Sequence, residues 1–434
     1  MLKYFILSLI ALSGIGMVSG QHAQLRFQRY TVLDGLSQCY VGHIVQDHKG
    51  FIWIGTHKGL NRFDGYHFEQ YLNTSDGPDS LGAHMISGIL EDSKKRLWVS
   101  SSSGTGGLFL YQRDQERFLS YFSNAFCIDP GDNRIYDMVE DQHGNLLLAT
   151  NRGIISFNPD EKDPEITNYR NIPGDPSSLT SGQVNVLLKD SRNWLWAGTS
   201  NGLDLYDKDH DCFIHFRHQE NDPYSIGSSH VTDILADPSG TIWIGTRDGG
   251  LNQVLLGEQR IPAKDSISFI RYLHDPSDPK SISNNVINAL SVDDGGNLWI
   301  GTDEGINRLD TKYLMRTEEE PEYSAEFICY KNNPLDNESL NYNFVRSLFF
   351  DVTGTLWAGT STGLNKQKNY KFQTFQQEVT ENSLASNKIQ TFLEDGHQDI
   401  WIGSSKGLNL FDRRDHPFDF ILRGAILSVC EDQE

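Results

Sequence analysis

The sequence predicts an all-β fold made of four-stranded antiparallel sheets, and three observations lead to this prediction. A motif of the form Asp-x-x-Gly-x-(Leu/Ile)-Trp-(Ile/Ala)-Gly-Thr-x-x-Gly-(Leu/Ile)-Asn recurs in eight copies along the chain. Each copy is preceded by an apolar run and followed by an aromatic pair, so that one unit contains four strand-like segments. Such a sheet is apolar on both faces and must be covered on both. Radial stacking of the sheets achieves this, and it is the architecture of a β-propeller.

The tryptophan of the motif marks the period of the repeat. Its position falls, at intervals of 44 to 58 residues, on Trp53, Trp98, Leu147, Trp196, Trp243, Trp299, Trp357 and Trp401. Lys95 replaces the turn glycine in the second copy, and Leu147 replaces the tryptophan in the third. Because the tryptophans, glycines and turn aspartates recur in nearly every copy, we interpret them as packing residues of the sheets, not as catalytic residues.

One unit illustrates why these segments form strands and turns. Residues 286–290 are predicted to form the inner strand, and residues 298–300, 306–309 and 327–330 the three strands that follow it. Residues 293–296 close the first hairpin, because the aspartate carboxylate can accept backbone N–H groups and glycine tolerates a positive φ. The second strand is apolar at consecutive positions, which indicates that both of its faces are buried.

Composition and charge exclude several classes of protein. The chain has 434 residues, and its 37 Lys and Arg against 58 Asp and Glu give a formal net charge of −21. This charge repels phosphate backbones, so we expect no contact with nucleic acid. The five cysteines contain no C-x-x-C pair, and the 14 histidines show no metal-ligand spacing. We therefore expect no disulfide scaffold, no metal and no cofactor.

The first 20 residues are predicted to be a secretory signal peptide. Residues 1–3 supply a positive charge, residues 4–12 are nearly all apolar, and residues 18–20 are small enough for cleavage. The alternative is an N-terminal membrane anchor, for which the apolar stretch is short. The mature chain is therefore expected to be exported to the periplasm.

The ends of the repeat region predict the number of blades. Residues 25–30 resemble an outer strand that completes the last sheet of a closed ring, and residues 425–432 resemble an inner strand without its hairpin. We therefore expect a seven-bladed propeller at residues 21–370, the first blade of a second, truncated propeller at residues 371–434, and an N-terminal fragment of a longer protein. A single eight-bladed propeller is the alternative.

With the repeat written out, the chain resembles the two-component regulator propeller family. The resemblance rests on Asp-Asp-Gly-Gly-Asn-Leu-Trp-Ile-Gly-Thr at residues 293–302 and Gly-Ile-Asn-Arg-Leu-Asp at residues 305–310. It implies the periplasmic sensor region of a hybrid sensor histidine kinase, a homodimer in the full-length sensor, and membrane attachment only through downstream segments. It also implies an oligosaccharide ligand that regulates polysaccharide-utilisation genes. No kinase segment is visible in this sequence, so we expect no enzymatic activity from this chain.

A ligand site is predicted on one rim of the propeller, where the inner strands start and where the turns between the second and third strands lie. Loops on such a rim can vary while the scaffold stays constant. Aromatic faces suit the C–H surfaces of sugars, and planar polar groups suit their hydroxyls. The arginines could also hold an acidic sugar. The candidate ligand-binding residues are Tyr40, Tyr136, Arg152, His230 and Arg247.

Two other functions are compatible with the same architecture. A propeller glycoside hydrolase would need two carboxylates about 5–9.5 Å apart across a cleft. The rim carboxylates Asp248, Asp303 and Glu304 lie in turns of the required kind, but no motif beyond the repeat marks them. A non-catalytic periplasmic scaffold for protein interactions is the third possibility.

Overall fold

The structure is a computed structural model, and it describes residues 25–72, 81, 85–103, 107–121, 134–256, 267–311, 325–368, 377, 383–395, 399–411 and 419–430. The predicted signal peptide at residues 1–20 and the predicted domain boundary at residue 370 lie outside these ranges and stay predictions. Within the described residues, the regular structure consists of 32 strands and one short 3₁₀ helix, Val32–Asp34. The predicted all-β class is confirmed.

The first strand, β1 (Phe27–Tyr30), precedes four sheets whose strands follow one another in chain order from the inside outwards. Sheet 1 contains β2 (Val41–Gln46), β3 (Ile52–Thr56), β4 (Gly59–Phe63) and β5 (Phe68–Tyr71). Sheet 2 contains β6 (Ile86–Glu91), β7 (Leu97–Ser101), β8 (Gly107–Gln112) and β9 (Arg117–Ser120). Sheet 3 contains β10 (Ile135–Glu140), β11 (Leu146–Thr150), β12 (Gly153–Phe157) and β13 (Thr167–Tyr169). Sheet 4 contains β14 (Val184–Lys189), β15 (Leu195–Thr199), β16 (Gly202–Asp207) and β17 (Cys212–Phe216).

Four further sheets repeat this arrangement, and all of the pairings are antiparallel. Sheet 5 contains β18 (Val231–Ala236), β19 (Ile242–Thr246), β20 (Leu251–Leu256) and β21 (Ile267–Tyr272). Sheet 6 contains β22 (Ile287–Val292), β23 (Leu298–Thr302), β24 (Gly305–Leu309) and β25 (Phe327–Tyr330). Sheet 7 contains β26 (Val345–Phe350), β27 (Leu356–Thr360), β28 (Gly363–Gln367) and, as its outer strand, β1. Sheet 8 contains β29 (Ile389–Glu394), β30 (Ile400–Ser404), β31 (Gly407–Phe411) and β32 (Asp419–Arg423).

The inner strands of sheets 1 to 7 form a cycle. Each contacts the inner strand of the next sheet, and β26 of sheet 7 contacts β2 of sheet 1. These sheets form one compact unit, Leu25–Lys368. β1 completes sheet 7 by pairing with β28, where Phe27 lies opposite Gln367 and Tyr30 lies opposite Leu364.

Sheet 8 belongs to a second compact unit, formed by the described residues after 368. Its small core is formed by Leu384 and Ile402, with Ile389, Ile400 and Phe411 packed against them. It carries the eighth copy of the motif, so the same local sequence builds the same four-stranded sheet here.

The motif aspartate connects the first hairpin of a sheet to the motif tryptophan. In sheet 5, Asp237 Oδ1 accepts the backbone N–H groups of Ser239 (2.9 Å) and Thr241 (3.1 Å), and Oδ2 accepts the indole N–H of Trp243 (3.0 Å). The tryptophan is buried, so this bond satisfies an N–H that would otherwise lack a partner. The same indole–carboxylate bond, at 2.8–3.1 Å, recurs at Trp53, Trp98, Trp196, Trp299, Trp357 and Trp401.

Sheet 3 has no indole to bind, because Leu147 occupies the tryptophan position. Asp141 still accepts the backbone N–H groups of His143 (2.8 Å) and Asn145 (2.9 Å) through Oδ1. Its Oδ2 accepts the side-chain amide of Asn145 at 2.9 Å. The hairpin is therefore retained without the tryptophan.

In six of the eight sheets a glycine lies two residues after the motif tryptophan and lets neighbouring segments approach closely; Ser100 and Ala149 occupy this position in sheets 2 and 3. At Gly301, a Cβ would lie 2.8 Å from Cγ1 of Val345 on the inner strand of sheet 7. Any side chain there would push the two sheets apart. The repeated glycine thus sets the spacing of the inner strands, on which the candidate site depends.

Candidate functional site

Each inner strand of the ring begins with a β-bulge between its first and third residues. In four sheets the second residue is short and polar, and its side chain donates a hydrogen bond to a carbonyl oxygen of the next inner strand. These bonds run from Ser87 to Ile135, from Asn185 to Val231 (2.8 Å), from Thr232 to Ile287 (2.7 Å) and from Asn288 to Val345 (3.0 Å). The second residue therefore normally ties adjacent sheets together.

Three sheets depart from this pattern. The second residue is Gly42 in sheet 1, Tyr136 in sheet 3 and Arg346 in sheet 7. Sheet 7 adjoins sheet 1, so Arg346 and Gly42 occupy equivalent positions on neighbouring inner strands. A Cβ at Gly42 would meet nothing within 4 Å. The longest side chain at this level thus lies on the strand next to the smallest.

Aromatic rings surround the guanidinium of Arg346. Its carbon Cζ lies 4.0 Å from the ring centroid of Phe344 and 5.3 Å from that of Tyr40. Tyr40 in turn stacks on His57, with ring centroids 3.6 Å apart and planes inclined by 24°. Both Tyr40 and Phe344 directly precede an inner strand, and His57 lies in the turn between β3 and β4. The cluster combines a cation with flat aromatic surfaces.

Two polar residues of sheet 6 complete this cluster. Asn288 Nδ2 donates to Asp303 Oδ1 at 2.8 Å, and Asn288 Oδ1 accepts a long bond of 3.5 Å from Nη1 of Arg346. Nε of Arg346 is buried and has no hydrogen-bond partner among the described residues. We call Tyr40, His57, Asn288, Asp303, Phe344 and Arg346 the arginine cluster.

The protonation states of the cluster follow from its surroundings. Desolvation and the positive charge of Arg346 both lower the pKa of His57, so its imidazole is neutral at neutral pH. Burial raises the pKa of Tyr40; the charge of Arg346 opposes this increase, whereas Asp303 adds to it. The phenol therefore keeps its proton. A neutral imidazole and a phenol can each both donate and accept hydrogen bonds.

The structure distributes the five predicted site residues over three sheets. Tyr40 lies in the arginine cluster. The carbonyl of His230 accepts the backbone N–H of Arg247 at 3.0 Å in sheet 5, and burial and the charge of Arg247 lower the pKa of His230. Tyr136 and Arg152 both belong to sheet 3, where the backbone N–H of Arg152 donates to Thr150 Oγ1 at 3.1 Å. The role of these residues in ligand binding stays a prediction.

Sequence reasoning missed Arg346, although a signal for it exists. When the inner strands are aligned on their bulges, Arg346 occupies a position at which four other sheets have a short polar side chain. The register needed for this comparison is visible in the sequence, because each inner strand ends just before a motif aspartate.

A second set of ionisable groups lies one residue further along the inner strands. The third residue is His43 in sheet 1, Asp137 in sheet 3 and Asp233 in sheet 5. Asp137 Oδ2 accepts the backbone N–H of Leu187 at 2.8 Å, and Asp233 Oδ2 accepts that of Leu290 at 2.7 Å, each on the next sheet. Asp137 therefore connects sheet 3 to sheet 4 in place of the second residue, whereas Asp233 adds a second connection beside that of Thr232.

Burial inside the ring shifts the pKa of all three groups. It lowers the pKa of His43 to about 4 and raises the pKa of Asp137 to about 6. Burial also raises the pKa of Asp233 to about 7, and the charge of Asp137 adds to that increase. The histidine is thus neutral across the physiological range, and Asp233 titrates within it.

Neither metal chemistry nor a membrane span is indicated by the part of the chain that the structure describes. No three His, Cys, Asp or Glu side chains within it are close enough to hold a metal ion. No helix in the same residues has the length and apolar character needed to cross a bilayer. Of the rim carboxylates, Asp303 binds Asn288, and Glu304 Oε2 lies 3.5 Å from Nζ of Lys331.

Known proteins resemble this chain in both sequence and fold. The sequence profile "Two component regulator propeller" matches residues 35–58, 225–248 and 281–304. The chain is 41% identical to Histidine kinase P4 of Formosa agariphila over 64 residues. This aligned segment covers 15% of this chain and 5% of the kinase.

Solved structures with the same architecture include the extracellular domain of a putative hybrid two component system from B. thetaiotaomicron. That domain matches with a TM-score of 0.64 and 23% identity over 90% of this chain and 48% of its own. Virginiamycin B lyase from Staphylococcus aureus matches with a TM-score of 0.53 and 13% identity over 79% of this chain and 99% of its own. At these identities the likeness concerns the fold alone.

This chain spans about half the length of the extracellular domain and a small part of the kinase. The profile matches coincide with the starts of sheets 1, 5 and 6, where the motif is most complete. The chain therefore contains repeats that match the two-component regulator propeller profile.

Proposed function

We propose that this chain is the ligand-sensing region of a two-component signal-transduction sensor and that it binds an oligosaccharide on the propeller rim. Its match to the two-component regulator propeller profile, its resemblance to a histidine kinase and its likeness to the extracellular domain of a putative hybrid two component system support a sensing role. The proposal places this region in the periplasm, and its likeness to an extracellular domain supports a location outside the inner membrane.

The arginine cluster is the single observation that carries the binding proposal. Tyr40 and Phe344 offer aromatic faces, and a pyranose ring presents C–H groups that pack on such faces. His57 supplies a neutral imidazole that can donate and accept hydrogen bonds, as sugar hydroxyls require. Both N–H groups of Asn288 are already bonded to Asp303 and Val345, so its amide can only accept a further hydrogen bond. These side chains come from three adjacent sheets of a rigid ring, so their arrangement exists before the ligand arrives.

Signalling requires that ligand capture favours one arrangement of the whole sensor over another. In the proposed full-length protein, two sensor chains pack as a homodimer, and ligand binding changes that packing. The change reaches a histidine kinase across the membrane as a change in subunit geometry, and it regulates genes for polysaccharide utilisation. This chain itself performs no catalysis in the proposal.

The experiment is a thermal-shift screen of the purified chain against glycan fragments, followed by calorimetry on each fragment that raises the melting temperature. Binding of a fragment, weakened in Tyr40→Ala, is the expected result. The matched control is Tyr66→Ala, because Tyr66 is 87% exposed in the loop after β4. If no fragment binds, an interaction scaffold replaces the sensor, and if a bound fragment is cleaved, a hydrolase replaces it.

A further inference from the structure

We propose that the ligand of the arginine cluster carries an anionic group, a carboxylate or a sulfate ester, that pairs with Arg346. This inference rests on the proposed function, because it assigns a chemical class to the oligosaccharide that the rim binds. Arg346 is not one of the five site residues predicted from the sequence.

The first argument is that Arg346 has an unmet requirement for an acceptor. A guanidinium has five N–H donors, and one of those of Arg346 is buried without a partner among the described residues. Its one hydrogen bond, to Asn288, is long at 3.5 Å. An unsatisfied buried donor destabilises a protein, so this side chain is not explained by its contribution to folding.

Two other arginines of the same ring have acceptors for their N–H groups, whereas Nε of Arg308, like that of Arg346, has none among the described residues. Arg113 pairs with Asp47 (2.8 Å) and Glu91 (2.6 Å). Arg271 donates to the carbonyl oxygens of Ser225 (2.7 Å) and Asp222 (2.6 Å). With a net charge of −21 the chain is rich in carboxylates. Even so, Arg346 forms no ion pair with any residue in the described ranges.

The second argument is the way in which Asp303 is held. This carboxylate is the acidic member of the cluster, and the amide of Asn288 lies between it and Arg346. Asn288 binds Asp303 Oδ1 with a short bond of 2.8 Å and also donates to Val345 at 3.0 Å. The amide thus fixes Asp303 in place without letting it neutralise the guanidinium.

The third argument is the shape of the space around the cation. The neighbouring Gly42 leaves open the position that a side chain would fill on the adjacent strand. Phe344 and Tyr40 lie beside the guanidinium. A guanidinium that packs against aromatic rings can still donate its N–H groups to an acceptor in the guanidinium plane. Because Nε is buried, an anion would approach the two terminal nitrogens, for which the long bond from Nη1 to Asn288 is the one hydrogen bond found among the described residues. Both carboxylates and sulfate esters present paired oxygens that suit this geometry.

The test uses pairs of oligosaccharides that differ only in charge, with the whole chain as the binding protein. Oligomers of galacturonate, glucuronate, mannuronate and guluronate are each compared with their carboxyl-reduced forms by calorimetry. Sulfated galactan oligomers are compared with their desulfated forms. A preference within the first set identifies a carboxylate as the anion, and a preference within the second identifies a sulfate.

The expected result is that at least one charged member binds roughly 10- to 100-fold more tightly than its neutral partner. This preference should disappear in Arg346→Gln, whereas Arg346→Lys should keep part of it because the charge remains. The control is Arg192→Gln, an exposed arginine that lies over Trp194 next to the first hairpin of sheet 4. Melting temperatures of the variants establish that each is folded.

Three results would overturn the proposal, and they separate it from the proposed function. Equal binding of a charged oligomer and its neutral partner would refute the anionic ligand but leave oligosaccharide sensing intact. A charge preference that survives in Arg346→Gln would place the anion elsewhere on the protein. Failure of every charged and neutral oligomer to bind would count against both proposals.

Discussion

The ring of Tyr40 lies 3.6 Å from that of His57, centroid to centroid, and so joins the start of an inner strand to the turn between β3 and β4. The ring of Tyr40 is therefore stacked on the neutral imidazole of His57 and also lies beside the guanidinium of Arg346. In sheets 2 to 6 the residue before the inner strand is Met85, Arg134, Gln183, His230 or Val286, so no tyrosine or phenylalanine occupies this position there.

Replacing Tyr40 by alanine should weaken oligosaccharide binding by roughly 2- to 10-fold, the usual range for loss of an aromatic contact. The reason is that both the flat surface and the support for His57 disappear. Calorimetric dissociation constants for Tyr40→Ala and Tyr40→Phe give the answer. The Phe variant keeps the stack, so it should bind nearly as well as the parent; equal losses in both variants would show that the hydroxyl matters, not the ring.

Replacing Asp237 by alanine should lower the free energy of unfolding by about 2–4 kcal/mol, because the buried indole N–H of Trp243 and two hairpin N–H groups lose their acceptor. Urea unfolding measures the change. Asp141→Ala is the matched control, since sheet 3 has Leu147 and no indole to satisfy. We expect a smaller loss there, and an equal loss would contradict the importance of the indole bond.

Replacing His43 by alanine should make the protein less sensitive to acid between pH 6.5 and pH 4. Burial holds the pKa of this imidazole at about 4, below its value of 6.5 in the unfolded chain. The unfolded state therefore takes up a proton first as the pH falls, and stability is lost across this window by at most about 3 kcal/mol. Melting temperatures measured across the window should decline less steeply in the variant, and an unchanged slope would contradict the prediction.

Replacing Asp233 by serine, the residue at the equivalent position of sheet 7, should make the melting temperature more sensitive to acid, the opposite of the effect expected for His43→Ala. Burial and the nearby Asp137 raise the pKa of Asp233 to about 7, above the 3.8 of the unfolded chain. The folded state therefore binds the proton first, and this group adds stability as the pH falls from about 7 towards 4. The variant lacks that contribution, so its melting temperature should fall more steeply with acid.

Absolute stability does not decide the Asp233 test, because the serine variant also loses the bond to the backbone of Leu290 at every pH. The test is therefore the slope of melting temperature against pH. Asp137→Ser should behave in the same way over a window that ends near pH 6, where the pKa of Asp137 lies. A slope equal to that of the parent in both variants would show that neither carboxylate titrates in this range.

The repeat determined most of the fold. Most copies specify their own first hairpin through an aspartate and a glycine, and all but the third provide a tryptophan for packing, so eight four-stranded sheets can be read directly along the chain. Such local patterns suffice because every sheet is built from neighbouring segments. The predicted site residues followed from the same logic, which places a residue on a rim but does not say which residues meet there.

Tertiary structure alone decided that Arg346 meets Tyr40. The two residues belong to the last and the first sheets of the ring, and they become neighbours because β26 packs against β2. Whether an arginine finds an acceptor depends on every side chain within reach, and those side chains come from three sheets. The sequence by itself determined the sheets and their repeat, whereas closure of the ring created the arginine cluster, because contacts between distant segments exist only once the sheets have packed.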